Sequence, residues 1–186
     1  MALGQAIAAG RQGETDRTAV VRAGRPIYTP AERARRDATP WTLVQAILAP
    51  LQFLVFLVSL SLVLYALATG RGEGVAAVSV VVKTAVLYAI MVTGAIWERV
   101  VFGRYLFAPS FFWEDAVSML VIALHTFYLV VLFGGFLPVE AQLLIALAAY
   151  AAYAVNAAQF VIKMRLARRA DAVASGRSPI ARGASA

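Results

Sequence analysis

Three carboxylates are the residues of this chain most obviously placed for acid and base work. Glu98, Glu114 and Asp115 bracket a short segment that also holds Arg99, Arg104 and six aromatic residues between 98 and 115. Two carboxyl groups in unlike surroundings can divide proton donation and proton acceptance between them. Aromatic faces beside them could hold a flat amphiphile. The plainer reading is a loop that Trp97, Trp113 and the two arginines anchor among lipid headgroups. The triplets Ile96-Trp97-Glu98 and Phe112-Trp113-Glu114 are alike, and interfacial anchoring by tryptophan accounts for them without any duplicated function.

The single histidine, His125, lies near the middle of a long apolar stretch, where an imidazole without a partner is costly. It is read as an axial ligand to a tetrapyrrole magnesium, as a proton-transfer group, or as a histidine bonded to a neighbouring helix. At about 100° per residue Glu114, Ser118 and His125 project from similar sides of one helix, with Glu114 about 16 Å away along the axis. Other polar residues fall on stripes. Gln45, Gln52 and Ser59 recur every seven residues, and Gln142, Tyr153, Asn156 and Lys163 fall close to one face, with Gln159 adjacent. Such residues either hydrogen-bond helices to one another or line a substrate. Lys83 is expected to snorkel toward the nearer interface, or else to pair with a carboxylate.

The elements that position these groups must be membrane helices. Of 186 residues, 61% are hydrophobic and 15% charged, and the mean hydropathy is +0.75, well above ordinary soluble usage. Four stretches are long and apolar enough to cross a bilayer, at about 41–69, 75–97, 115–137 and 139–162. Pro50 gives the first a reason to bend. Gly134, Gly135 and Pro138 mark a turn between the last two. The fold class expected is an all-α integral membrane protein, a four-helix transmembrane bundle occupying 41–163. Residues 1–26 read as a disordered basic tail and 164–186 as a basic C-terminal tail. Within 27–40, Thr29-Pro30-Ala31-Glu32 carries a helix-start signature, so a short amphipathic helix at the membrane surface is expected.

Outside the spans, Lys and Arg number fifteen on the side of the two tails and the 98–114 loop, against Arg71 alone on the other. That bias places both termini and the 98–114 loop in the cytoplasm. The net charge of +7 belongs to these flanks, so it points to anionic lipid and not to nucleic acid. With no cysteine, disulfides, thiolate metal sites and cysteine nucleophiles are excluded. No metal-ligand spacing, phosphate-binding glycine loop or nucleophile triad is visible.

The run Ile27-Tyr28-Thr29-Pro30-Ala31-Glu32-Arg33-Ala34-Arg35-Arg36-Asp37-Ala38-Thr39-Pro40-Trp41 resembles the start of the 3-vinyl bacteriochlorophyllide hydratase family. Ala49-Pro50-Leu51-Gln52-Phe53, Val92-Thr93-Gly94-Ala95-Ile96-Trp97-Glu98, Phe111-Phe112-Trp113-Glu114-Asp115 and Ala123-Leu124-His125-Thr126 resemble it too, in order and spacing. The likeness covers 27–168. It implies addition of water across the 3-vinyl group of a chlorophyllide or bacteriochlorophyllide, giving a 1-hydroxyethyl group in bacteriochlorophyll biosynthesis.

That chemistry needs an acid to protonate the terminal vinyl carbon and a base to deliver water, and no redox cofactor. By position Glu114, Asp115 and Glu98 are the candidates, with His125 either supporting them, donating the proton itself, or holding the substrate's own magnesium. Trp97, Trp113, Gln45, Gln52, Ser118, Asn156 and Gln159 are candidates for contacting the tetrapyrrole. Neighbouring pathway enzymes are conceivable partners at the basic tails. The competing reading is a non-catalytic pigment-binding or assembly subunit of a photosynthetic complex. A small transporter or scaffold is a third, weakened by the lack of inverted repeats.

Overall fold

The computed structural model describes residues 27–174, with side chains to 169. The tail expected over 1–26 and the end of that expected over 164–186 lie outside the described residues. Residues Pro30–Phe160 form one compact unit.

Among the described residues every regular element is an α-helix: α1 (Pro30–Ala38), α2 (Pro40–Thr69), α3 (Glu73–Phe102), α4 (Phe112–Gly134) and α5 (Val139–Ala174). The cap signature is followed literally at α1, which begins at Pro30. A second start comes at once. Thr39 takes an extended conformation, its hydroxyl accepts from the Trp41 N–H, and Pro40 occupies the first turn, where a missing N–H costs nothing. The helix runs on through Pro50, leaving the Ala46 carbonyl without its usual donor four residues on. Gly70 and Gly103 close α2 and α3 with φ of 64° and 81°, a left-handed conformation that favours glycine.

The four long helices are each apolar and long enough to span a bilayer, yet only 22–28% of their most apolar stretches is buried inside the protein. The rest faces outward as Leu43, Leu54, Val58, Val82, Phe133 and their neighbours. Inward go Gln52, Ser59, Lys83, Thr84, Ser118, His125 and Asn156. This arrangement would be ruinous in water. In lipid it is what physics requires, because polar groups must find partners inside the bundle while leucine and valine meet acyl chains at no cost. The chain is therefore a multi-pass membrane protein.

Buried positions repeat at alternating intervals of four and three: 52, 56, 59, 63 and 66 on α2, 76, 80, 83 and 87 on α3, 114, 118, 121, 125 and 128 on α4, and 142, 146, 149, 153 and 156 on α5. That 3.5-residue period is the seam of left-handed helix packing. Polar bonds pin α2 to α3 at three heights, through Ser59–Ser79 at 2.7 Å, Gln45–Thr93 at 2.8 Å and Trp97–Thr42 at 2.9 Å. Interhelical bonds of this kind contribute about 0.6 kcal/mol each on average in membranes.

The structure corrects two sequence expectations. The helix α3 continues past Trp97 to Phe102, and α4 starts at Phe112, so Glu98, Glu114 and Asp115 sit on helix ends and the true loop is 103–111. Lys83 neither snorkels nor meets a carboxylate. It belongs to the buried seam of α3, is wholly enclosed, and bonds to His125.

Candidate functional site

The polar interior divides into two levels. At the end of the bundle where α3 gives way to α4, Glu98 and Asp115 are 6% and 4% exposed. They meet two consecutive amides of the loop: Asp115 Oδ2 accepts from the Phe107 N–H at 2.7 Å, and Glu98 Oε2 from the Ala108 N–H at 3.3 Å. Phe107 has φ of 59°, a conformation that costs a residue with a Cβ about 1–2 kcal/mol. The two carboxylates thus hold the loop in a shape it would not choose. Glu114 is buried in the first turn of α4, where the helix dipole favours an acid.

Aromatic rings pack beneath that loop. Trp97, Phe102 and Phe111 form a triangle with centroids 5.7–5.9 Å apart, and Phe160 of α5 stacks on Phe111. Arg35 of α1 donates to the Val101 carbonyl at 2.8 Å, so the short helix is tied to the same end. Trp113 is not part of this cluster. It points outward, 72% exposed, with Phe112, Phe107 and Tyr105 also exposed nearby.

The second level lies about 16 Å along α4, and all four long helices contribute. His125 Nδ1 is 2.7 Å from the Val121 carbonyl, so it must carry a proton and donate it. In the neutral imidazole Nε2 is then a lone pair, to which Lys83 Nζ, 2.7 Å away, donates. The ammonium also lies 4.1 Å from the centre of the Tyr153 ring and 5.5 Å from that of Tyr150. Beside it, Ser79 gives its hydroxyl proton to the Ala76 carbonyl at 2.6 Å, so Ser59 donates to Ser79 and the Tyr150 hydroxyl donates to Ser59 at 2.5 Å. Both ring nitrogens of His125 are engaged. Magnesium ligation by His125 would require Lys83 to leave Nε2.

Between the levels Asn156 donates to Ser118 Oγ at 2.8 Å. Three amide oxygens in this region, on Gln52, Asn156 and Gln159, are buried without a hydrogen-bond donor, and so is the Tyr128 hydroxyl one turn beyond His125. Gln45 stands apart from this set, bonded to Thr93 and packed against Gly94 on the α2–α3 face. The structure therefore brings Glu98 to Asp115, Ser118 to Asn156, and His125 to Lys83. It does not bring His125 to the carboxylates. Among the described residues no group of three or more His, Asp and Glu side chains could hold a metal ion.

Sequence reasoning weighed Lys83 only as a snorkelling or carboxylate-paired lysine and passed over Tyr128 and Tyr150. The signal for Lys83 was its register, three residues after Val80 and four before Leu87 on the buried seam. Distance from the helix end, which suggested snorkelling, was the wrong measure.

Comparison with known proteins gives a consistent result. The family described as 2-vinyl bacteriochlorophyllide hydratase matches residues 28–166. A 2-vinyl bacteriochlorophyllide hydratase of Cereibacter sphaeroides is 65% identical over 144 residues, covering 77% of this chain and 89% of that one. Its counterpart in Rhodobacter capsulatus is 66% identical over 142 residues, covering 76% and 82%. No solved structure matches the chain.

Proposed function

The chain belongs to the 2-vinyl bacteriochlorophyllide hydratase family, and from that premise we propose that it is a hydro-lyase adding water to the vinyl group of a bacteriochlorophyllide-type tetrapyrrole. The vinyl carbon numbered 2 in the family name and 3 in systematic tetrapyrrole numbering is the same position. Identity of 65% over most of both chains carries the reading. The reaction moves a proton to the terminal vinyl carbon and a hydroxyl to the inner one, so no electron changes hands. No redox cofactor is needed, and the magnesium belongs to the substrate.

A chlorophyllide is itself an amphiphile. Its free carboxylate and ring ketone lie at one edge and its vinyl group at the opposite, apolar edge, so in a bilayer the acid edge stays with water and the vinyl group goes down. The exposed Trp113, Phe112, Phe107 and Tyr105 suit the upper edge of such a ring. Glu98 and Asp115 serve this site by holding the loop that carries Phe107. Their engagement with backbone amides favours that role over proton donation.

The orientation follows from charge. An even number of spans puts both ends of the bundle on one side, and fifteen cationic residues against one make that side the cytoplasm. A bacterial cytoplasmic membrane is the setting, with anionic headgroups as partners of the basic flanks and contact with other pigment-making enzymes at the same surface.

Two measurements test these readings. Membranes containing the protein, incubated with chlorophyllide, are expected to form a product heavier by one water; bound pigment without that product would instead mark a non-catalytic pigment carrier. A fluorescent protein fused at the C-terminus is expected to fluoresce, and alkaline phosphatase inserted at Arg71 to be active while the same insertion at Arg104 is silent. The reverse pattern would invert the topology.

A further inference from the structure

The structure keeps a lysine where a structural role does not need one. Elsewhere in this bundle helices are joined by neutral pairs, Gln45 with Thr93 and Asn156 with Ser118. A buried ion costs several kcal/mol even after relaxation, and no carboxylate lies against Lys83 among the described residues. In its charged form Lys83 carries three protons, of which one reaches His125 Nε2 and one lies toward the Tyr153 ring. The third has no acceptor among the described side chains. Resting on the hydratase reading, we propose that Lys83 and His125 are the proton-transfer pair of the hydration, Lys83 supplying the proton to the vinyl group and the pair recovering one from the attacking water.

A Lys83 N–H bond breaks as the vinyl π electrons form a new C–H bond at the terminal carbon, leaving a cation on the inner carbon that the macrocycle delocalises. Water oxygen bonds to that carbon, and its surplus proton returns to the Lys83–His125 pair. One alkene and one water become one alcohol. The positive charge passes from protein to substrate and back, so no new charge is created in a medium of low dielectric. A neutral carboxylic acid in the same place would have to generate a separated anion and cation, which the membrane interior opposes strongly.

Depth and water supply agree with this assignment. The pair lies about 16 Å below Glu114, on the side to which the vinyl edge points when the acid edge stays at the interface. The unpaired oxygens of Gln52, Asn156 and Gln159 and the Tyr128 hydroxyl are ready partners for water. Water is the second substrate. Lys83 and His125 are enclosed, so the two-carbon arm would reach them only where α3 and α4 part, along a seam whose outer side carries the exposed bond between Tyr88 Oη and Thr126 Oγ1 at 2.7 Å.

The test uses the full chain in membranes, with chlorophyllide as the probe and turnover normalised to the amount of inserted protein that retains pigment. Lys83→Met preserves length without a proton. Lys83→Arg preserves the charge and the donor to His125 but does not release its proton near neutral pH. Both are expected to lose at least 100-fold in kcat with KM within about threefold of wild type, the size that general acid–base catalysis supplies. If Lys83 only joins helices, Lys83→Arg restores turnover, and that result overturns the proposal. So does kcat within threefold of wild type in Lys83→Met, or a change confined to KM. Should Lys83→Met not accumulate, Lys83→Arg and His125→Gln decide on the same criterion. Wild-type protein that makes no product overturns the hydratase reading as well, whereas wild-type turnover beside an active Lys83→Met removes the pair alone.

Discussion

Removing both loop-holding carboxylates, Glu98→Ala together with Asp115→Ala, is expected to open the 103–111 loop to protease. Each substitution leaves a loop amide without its carboxyl acceptor, and such a loss costs about 1–3 kcal/mol. The two amides are consecutive, so the losses couple and do not simply add. Phe107 adds to the effect. Its left-handed backbone persists only while its surroundings enforce it, so the released loop relaxes away from the observed shape. In inside-out vesicles trypsin should then cut after Arg104 at least tenfold faster than in wild type. The isosteric pair Glu98→Gln and Asp115→Asn retains an oxygen acceptor on each side chain and is expected to keep the loop closed. Phe107→Gly removes the left-handed backbone cost of about 1–2 kcal/mol, partly offset by about 0.5–1 kcal/mol of extra glycine entropy, so a small further protection is expected. Equal cutting in the alanine, amide and wild-type proteins would mean the carboxylates do not hold the loop.

The same residues show what a sequence can and cannot disclose here. Four spans were legible because length and apolar content alone decide whether a helix can cross a bilayer. Helix ends were less so. The stretch Glu98–Phe102 is too charged at its start to count as a span, yet it continues α3 because nothing before Gly103 stops it. The inward face was also hard to see, since both faces of these helices are apolar and hydrophobic periodicity carries little contrast. Polar residues supplied the contrast instead. Gln52 and Ser59, seven apart, and Ser118 and His125, seven apart, do ride the buried seams. Gln45 keeps the same spacing but lies only half-buried near the start of α2, where it meets Thr93.

Pairing between helices was not legible at all. His125 has three bland or functional readings in sequence, and only the approach of α3 to α4 selects Lys83 as its partner. Likewise the carboxylates of Glu98 and Asp115 look like an acid–base pair when read along the chain. Folding turns each toward a backbone amide eight or ten residues away. Under the proposal made above, the chemistry would move from the loop to mid-depth, and the loop would present aromatic surface to the pigment.

The inside-out packing makes one further expectation that hydropathy alone would get backwards. Ser59→Leu raises the apolar content of α2 and so eases its insertion, yet it is expected to destabilise the folded bundle severely. Ser59 is 1% exposed and sits between Ser79 and Tyr150. Extra atoms there force overpacking, at about 1–3 kcal/mol, and the buried Tyr150 hydroxyl loses its acceptor, at about 1–3 kcal/mol more. Tyr150 also packs edge-on against Phe56 and lies beside His125, so the disturbance reaches the Lys83 level. Leu54→Ala does the opposite. It lowers the apolar content of the same helix, but Leu54 is 61% exposed to the lipid side, and removing a side chain from that surface should change bundle stability by less than about 0.5 kcal/mol. Thermal unfolding of the two variants in lipid nanodiscs reads the contrast directly. A Ser59→Leu protein as heat-stable as Leu54→Ala would place Ser59 outside the core and undo the arrangement of α2, α3 and α5 around Tyr150.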